Sequence, residues 1–199
     1  MRVMKKPILV LIIGPSGVGK GAIIKEFKRR NPKVHHAISA TTRLKRKNET
    51  RKSYHFLSEK EFSRMIKNGD FLEWGRTHGH ANYATVKSEV LPHLENGRNV
   101  ISEIDIAGHR TLLKHLFFRG KNPKYLLRSI FVKPKNEELL IKRIKRRSNI
   151  SKKELERRMI SAKKELKYSE KCDLVVVNYD GQVPNNVGAI EKFINTLLS

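Results

Sequence analysis

The chain has 199 residues, with 43 Lys and Arg against 19 Asp and Glu and a formal net charge of +24. That length fits one domain with small inserted lobes, and no apolar run approaches the roughly 20 residues a membrane span needs. A single cysteine, Cys172, excludes an internal disulfide and suits a reducing, cytoplasmic setting. Taken in chain order, the first element is the apolar run Ile8–Ile13, read as a buried strand. Met1–Lys6 is basic, but the apolar run behind it is too short for the core of a signal peptide. Next comes Gly14-Pro15-Ser16-Gly17-Val18-Gly19-Lys20-Gly21, followed by a helical pattern from Ala22 to Arg30. Strand, glycine-rich turn, lysine and helix together spell a phosphate-binding loop. Glycines let successive backbone N–H groups turn toward an anion, and the helix start adds its positive end. Lys20 then offers a point charge to the β- and γ-phosphates of a nucleoside triphosphate. The residue after the lysine is usually a Ser or Thr that ligates magnesium; here it is Gly21.

Residues 39–85 are polar and hairpin-like. Short strands are expected near Tyr54–Phe56 and Phe71–Thr77, a helix near Ser58–Asn68, and a turn at Asn68-Gly69-Asp70. Apolar runs at 99–104, 126–132 and 174–177 complete a set of buried strands with helical patterns between them. The alternation predicts an α/β fold with a largely parallel sheet flanked by helices. Residues 142–158 are dense in Arg and Lys, and Ser148-Asn149 is expected to be a hinge between two helices. His78 and His80 have a spacing that suits a metal on a strand, but no cysteine or carboxylate cluster accompanies them, so zinc is not expected.

Two readings of the charge compete. One is a surface that tracks nucleic-acid phosphates. The other is a lysine-rich solvated surface around a site that must hold several phosphates. The basic residues are spread along the chain without the interleaved aromatics of an RNA-binding module, which favours the second. Non-specific nucleic-acid association at low salt is still expected.

A second set of residues joins the loop. Ser39-Ala40-Thr41-Thr42-Arg43 is followed by Arg46, Glu49 and Tyr54, then by Phe71-Leu72-Glu73-Trp74, Tyr83-Ala84-Thr85 and Glu103-Ile104-Asp105-Ile106-Ala107-Gly108. In order and spacing this chain resembles guanylate kinase over roughly residues 6–180. The resemblance implies a P-loop core (1–38, 86–141 and 159–199), an inserted GMP-binding lobe (39–85) and a helical lid (142–158). It implies that Gly14 to Gly21 hold the ATP phosphates, and that Arg43, Arg46, Tyr54 and Tyr83 hold the phosphate of GMP. Guanidinium groups and hydroxyls suit a dianion. Glu73 would accept from the Watson–Crick donors of guanine, Ser39 and Thr85 would donate to O6, and Asp105 would assist at the exocyclic amine. Adenine would leave a buried Glu73 unpartnered. Arg143, Arg147 and Arg158 fall on the family's lid arginines, which close over the γ-phosphate.

The implied reaction moves the γ-phosphoryl group of ATP to GMP, or dGMP, with Mg²⁺ as cofactor, in purine nucleotide metabolism. Lys20 and the three lid arginines would be its catalytic residues. No direct metal ligand is assigned; Glu103 would reach the metal through water. The family's aspartate before the first tyrosine is Ser53 here, and Glu103 is longer than the usual aspartate. Two alternatives stay open: a related P-loop kinase with another phosphorylated acceptor, and a catalytically impaired nucleotide- or partner-binding protein. A monomer or a homodimer, with no membrane partner, is expected.

Overall fold

The computed structural model describes residues 6–46, 49–50, 53–77, 81–147 and 151–198. The hinge expected at Ser148-Asn149 and the histidines His78 and His80 lie outside the described residues. Two sheets are present. One is parallel and five-stranded, of order β2 (His35–His36), β7 (Val100–Glu103), β1 (Ile8–Ile13), β8 (Leu126–Pro134) and β9 (Leu174–Asn178). The other is four-stranded, of order β4 (His55–Phe56), β3 (Ala40–Thr41), β6 (Ala81–Val86) and β5 (Phe71–Thr77). All six residues of β1 are buried, which explains why its sequence is apolar throughout rather than alternating. No described helix is long and apolar enough to cross a membrane.

The chain divides into two compact units. The first comprises Met1–Val10 and Lys33–Leu127. Its small sheet is not a simple hairpin. β5 and β6 run antiparallel from Phe71↔Val86 to Thr77↔Ala81, β3 joins β6 antiparallel, and β4 joins β3 in parallel, pairing Ala40 with His55. Helix α2 (Glu59–Asn68) covers this sheet, burying Phe62 against Ala40, Phe71, Ala84 and Val86. α2 starts with a reciprocal cap: Ser58 Oγ accepts from Glu61 N at 3.2 Å and Glu61 Oε2 accepts from Ser58 N at 2.7 Å. It stops at Gly69, which takes the left-handed conformation. Helix α3 (Lys87–Glu95) follows β6 directly and buries Val90 and Leu94. Helix α4 (Ile106–Lys114) follows β7, capped by Asp105, whose Oδ1 accepts from Gly108 N at 2.8 Å.

The second unit comprises Leu11–Pro32 and Arg128–Ser199. Helix α1 (Lys20–Arg30) buries Ile23, Ile24 and Phe27. β8 and β9 pair in parallel from Ile130↔Leu174 to Pro134↔Asn178. Asp173 pins the start of that pairing by accepting from Ser129 N at 2.7 Å and Ser129 Oγ at 2.6 Å. Helices α5 (Glu137–Arg147) and α6 (Lys152–Lys167) carry the basic segment, and α7 (Val183–Leu198) ends the unit.

The cap on α2 gives a direct test. Ser58→Ala removes the Oγ that accepts from Glu61 N while leaving the Ser58 backbone N–H to Glu61, and is expected to lower stability by about 1 kcal/mol, read as a shift in the urea midpoint with an unchanged slope.

Candidate functional site

In the second unit, β1 runs into a loop that only glycine-rich sequence permits. Gly14 has φ +146° and Gly19 φ +104°; a Cβ at Gly14 would collide with the Val132 carbonyl, and one at Gly19 with the Asn178 amide. Val18 N donates to Pro15 O at 3.2 Å, closing the turn. Gly19 caps α1, whose first turn reads Lys20-Gly21-Ala22 without an acidic side chain. The positive end of the helix therefore meets no carboxylate of its own first turn. Lys20 is 9% exposed, and its ammonium donates to Gly14 O at 2.6 Å and Pro15 O at 3.2 Å. The cation is thus folded over the loop that precedes it. Nothing lies within 4 Å of where a Cβ on Gly21 would sit.

The loop is held from behind by residues that the sequence reading did not single out. Asn178, at the end of β9, donates from Nδ2 to Val18 O at 2.8 Å. Asn186 on α7 donates to Asn178 Oδ1 at 3.2 Å. Arg143 on α5 joins them, donating through Nη1 to Val18 O at 3.0 Å and Asn178 O at 3.2 Å, and through Nη2 to Asp180 Oδ1 at 3.1 Å. Of the expected lid arginines, Arg143 therefore reaches the phosphate loop. Arg158 on α6 pairs with Glu154 at 2.8 Å. Arg147 ends α5, and its side chain lies outside the described residues.

The first unit gathers the other candidates in two places. Glu73 on β5 faces Thr85 on β6 in direct register. Thr85 Oγ1 donates to Glu73 Oε1 at 2.6 Å, and Glu73 is 8% exposed. Burial pushes the Glu73 carboxyl up to about 7; the Thr85 hydrogen bond opposes the shift and the charge of Asp105 adds to it. Gly108 on α4 lets that carboxylate in, since a Cβ there would lie 2.5 Å from Glu73 Oε2. Gly108 was legible only as part of the motif, not as a packing requirement. Ser39 Oγ donates weakly to Glu103 O at 3.5 Å. Ser39, Glu73, Thr85 and Asp105 all belong to this unit. Glu103 ends β7 and Asp105 caps α4.

The second place is centred on Glu49. Arg43 donates to both its oxygens at 2.9 Å, and Arg46 donates to it from backbone N at 2.9 Å and Nη1 at 3.4 Å. Arg43 Nε also donates to Tyr83 OH at 3.1 Å, and its guanidinium lies 5.4 Å from the centre of the Tyr54 ring. Tyr54 and Tyr83 meet edge-on at 6.0 Å. Burial opposes ionisation of Glu49, yet the Arg43 and Arg46 donors outweigh it and hold its carboxyl below the usual range. Ser53, which replaces the family's aspartate, closes a turn: its N donates to Thr50 O at 2.9 Å and its Oγ accepts from Thr50 N at 3.2 Å. Arg43 and Arg46 thus converge on one carboxylate, while Tyr83 and Tyr54 flank Arg43. Glu49 was visible in the sequence but not assigned as the group that holds them.

The family model described as guanylate kinase matches residues 5–196. A guanylate kinase of Helicobacter pylori is 39% identical over 173 residues, covering 86% of this chain and 80% of that protein. One of Caldanaerobacter subterraneus is 41% identical over 181 residues, covering 90% and 84%. In fold, the chain is similar to the crystal structure of guanylate kinase from Anaplasma phagocytophilum, with a TM-score of 0.70 at 21% identity, covering 96% of this chain and 86% of that one.

The raised Glu73 pKa makes a pH-dependent contribution to stability. The folded value of about 7 exceeds the ordinary 4.5, so the protonated group favours the folded state fully below pH 4.5. That contribution is lost as pH rises through 7. Glu73→Gln removes it; the stability difference between variant and wild type is expected to widen from pH 4.5 to 7 by up to about 3 kcal/mol and then level off, as followed by urea unfolding at each pH. A difference independent of pH would overturn the assignment.

Proposed function

The chain belongs to the guanylate kinase family and transfers the γ-phosphoryl group of ATP to GMP, giving ADP and GDP; from that premise we propose how its residues divide the reaction. The loop Gly14–Gly21 binds the ATP phosphates through backbone N–H groups and the start of α1, and Lys20 moves from the Gly14 and Pro15 carbonyls to the β/γ oxygens. The GMP phosphate takes the donors that Glu49 now occupies on Arg43 and Arg46, with hydroxyls from Tyr54 and Tyr83. Guanine sits against Glu73, whose carboxylate accepts from the ring N1–H and the exocyclic amine. Ser39 donates to O6, Thr85 joins it by turning its one hydroxyl proton away from Glu73 once the guanine N–H groups fill that carboxylate, and Asp105 assists at the amine. The observation that carries the guanine reading is the buried Glu73–Thr85 pair. A carboxylate kept from water and met by a neutral donor has acceptor capacity left for a base with two adjacent N–H groups, and adenine lacks them. dGMP shares the same base and phosphate and is accepted too.

The attacking oxygen of GMP is already ionised, so no general base is needed. Catalysis is alignment plus electrostatic stabilisation of the transferring group. Lys20, Arg143, Arg147 and Arg158 supply the stabilising charge, and a lid at 142–158 that closes over the phosphates excludes water and suppresses ATP hydrolysis. Residues 39–85 form the GMP-binding lobe, and the remainder forms the core. The donor set suits Mg²⁺ held mainly by phosphate oxygens and water: Gly21 brings no hydroxyl, and Glu103 offers a carboxylate that acts through water. When bound, the ion neutralises charge on the β- and γ-phosphates. The protein acts in the cytoplasm.

The test is ADP release with ATP, Mg²⁺ and each monophosphate in turn, after bound nucleic acid is removed at high salt. GMP and dGMP are expected to support turnover while AMP and UMP do not; equal rates with AMP would overturn the guanine assignment. Lys20→Ala is expected to lower kcat at least about 100-fold, and retention of most activity would sink its role. Because the space beside Gly21 is open, Gly21→Ser is expected to fold normally and to reach half-maximal rate at a lower Mg²⁺ concentration. An unchanged Mg²⁺ titration would mean that position 21 does not face the ion.

A further inference from the structure

One carboxylate outside the candidate contacts ties together three separate segments of the first unit. Glu89 lies in the first turn of α3. Its Oε2 accepts from Ile38 N at 3.1 Å and meets His35 Nε2 at 3.3 Å. Its Oε1 meets His55 Nε2 at 2.9 Å. His93, one turn further along α3, stacks on His35 with ring centres 3.6 Å apart and planes 15° apart. The Glu89 side chain is one-fifth exposed. Burial opposes its ionisation, but the Ile38 N–H and the two imidazoles outweigh it and hold the carboxyl below the usual range. Both imidazoles can present Nε2–H to the carboxylate whether neutral or protonated, so the tie persists in either state.

What these partners flank gives the arrangement its meaning. Ile38 immediately precedes Ser39, and His55 immediately follows Tyr54. Ser39 and Tyr54 are the residues assigned above to O6 of guanine and to the GMP phosphate. The same two segments are joined by His55 N donating to Ser39 O at 3.0 Å. β4 is an edge strand only two residues long. Its pairing with β3 spans only Ala40↔His55 and Thr41↔Phe56, flanked by His55 N donating to Ser39 O and Leu57 N to Thr41 O, which is little to hold the Tyr54 segment. α3, by contrast, is seated by its buried Val90 and Leu94. A side-chain tie to that helix gives β4 a third attachment on a rigid element.

We infer that Glu89 is a positioning residue of the acceptor site, bracing Ser39 through Ile38 and Tyr54 through His55 so that both meet GMP in register. The inference rests on the reading that Ser39 and Tyr54 contact GMP. Glu89 touches no substrate and acts only through the two segments it joins. Misplacement by about 1 Å at a substrate contact is enough to weaken it markedly, so the effect should fall on GMP and spare ATP.

The experiment measures kcat, KM for GMP, KM for ATP and the melting temperature for Glu89→Ala, Glu89→Gln and His55→Phe, with Ser39→Ala and Tyr54→Phe as references. Glu89→Ala is expected to raise KM for GMP about 10-fold while KM for ATP and kcat at saturating GMP change by less than about twofold. His55→Phe, which keeps an aromatic of similar size if Glu89→Ala fails to fold, is expected to show the same split to a smaller degree. Glu89→Gln keeps an acceptor for Ile38 N and is expected to recover most of the GMP affinity. If the reference variants raise KM for GMP but Glu89→Ala and His55→Phe shift only the melting temperature, Glu89 is merely structural and the inference is overturned. If Ser39→Ala and Tyr54→Phe themselves leave KM for GMP unchanged, the assignment of the acceptor contacts fails first, and the inference falls with it.

Discussion

Crowded positive charge is the constraint that shapes both half-sites. The chain carries 43 basic residues against 19 acidic ones, and the reaction needs several of those cations to converge on phosphate. Guanidinium groups brought together without a ligand repel one another and collapse onto whatever acceptor is near. Each candidate arginine with a described side chain has a carboxylate at hand: Glu49 for Arg43 and Arg46, Asp180 for Arg143, Glu154 for Arg158. These pairs are not equivalent. Glu49 is largely withdrawn from water and grips Arg43 through two parallel hydrogen bonds, which orients the fork as phosphate would. Asp180 is 82% exposed, so its pairing with Arg143 is weak. The carbonyls of Val18 and Asn178 do more to fix that side chain.

Glu73 presents the opposite problem. Among the described residues, a hydroxyl and the start of α4 stand beside its buried carboxylate, with no cation paired to it. A salt bridge would lower the cost of burial but would saturate the oxygens that guanine must reach. The neutral hydroxyl and backbone donors of Thr85 leave acceptor capacity in place at the expense of stability. The absent side chain at Gly108 completes the arrangement, because any larger residue there would push against the carboxylate. On the proposed reading, specificity for a base with adjacent N–H groups would follow from what the site withholds from Glu73 as much as from what it supplies.

The sequence was most legible where a pattern is local. The buried strand, glycine loop and helix at the start of the chain all appear; α1 begins at Lys20 rather than Ala22 because Gly19, with its positive φ, serves as the cap. The helix expected near Ser58–Asn68 is α2, with Ser58 serving as its cap rather than its first residue, and the expected turn at Gly69 ends it. The parallel pairing of β3 with β4 was not, since two-residue strands carry no periodicity and a hairpin was the simpler expectation. Among the candidate residues, those named by the family motif were singled out from the sequence. The groups that hold them were missed because they act across sequence. Asn178 reaches Val18 over 160 residues and Glu89 reaches Ile38 over 51; an asparagine ending a strand or a glutamate opening a helix has nothing in its own neighbourhood to mark it.

Gly21 connects these observations. A hydroxyl at that position would give a metal ion a ligand fixed to the protein, and its position would then not depend wholly on the triphosphate. Without it, a bound cation would take its place from the phosphates, and the phosphates would take theirs from the loop. Stiffness of the loop therefore matters more here than in a chain with serine or threonine after the lysine. The structure meets that need by fastening the Val18 carbonyl: Asn186 holds Asn178, Asn178 holds Val18, and Arg143 spans the Val18 and Asn178 carbonyls. A loop clasped by two amides and a guanidinium keeps its N–H groups aimed at the anion, and the first turn of α1 brings no acid against its positive end. Arg143 in that clasp also couples α5 to the loop, so the helix that leads into the basic segment is anchored at the point where the phosphates bind.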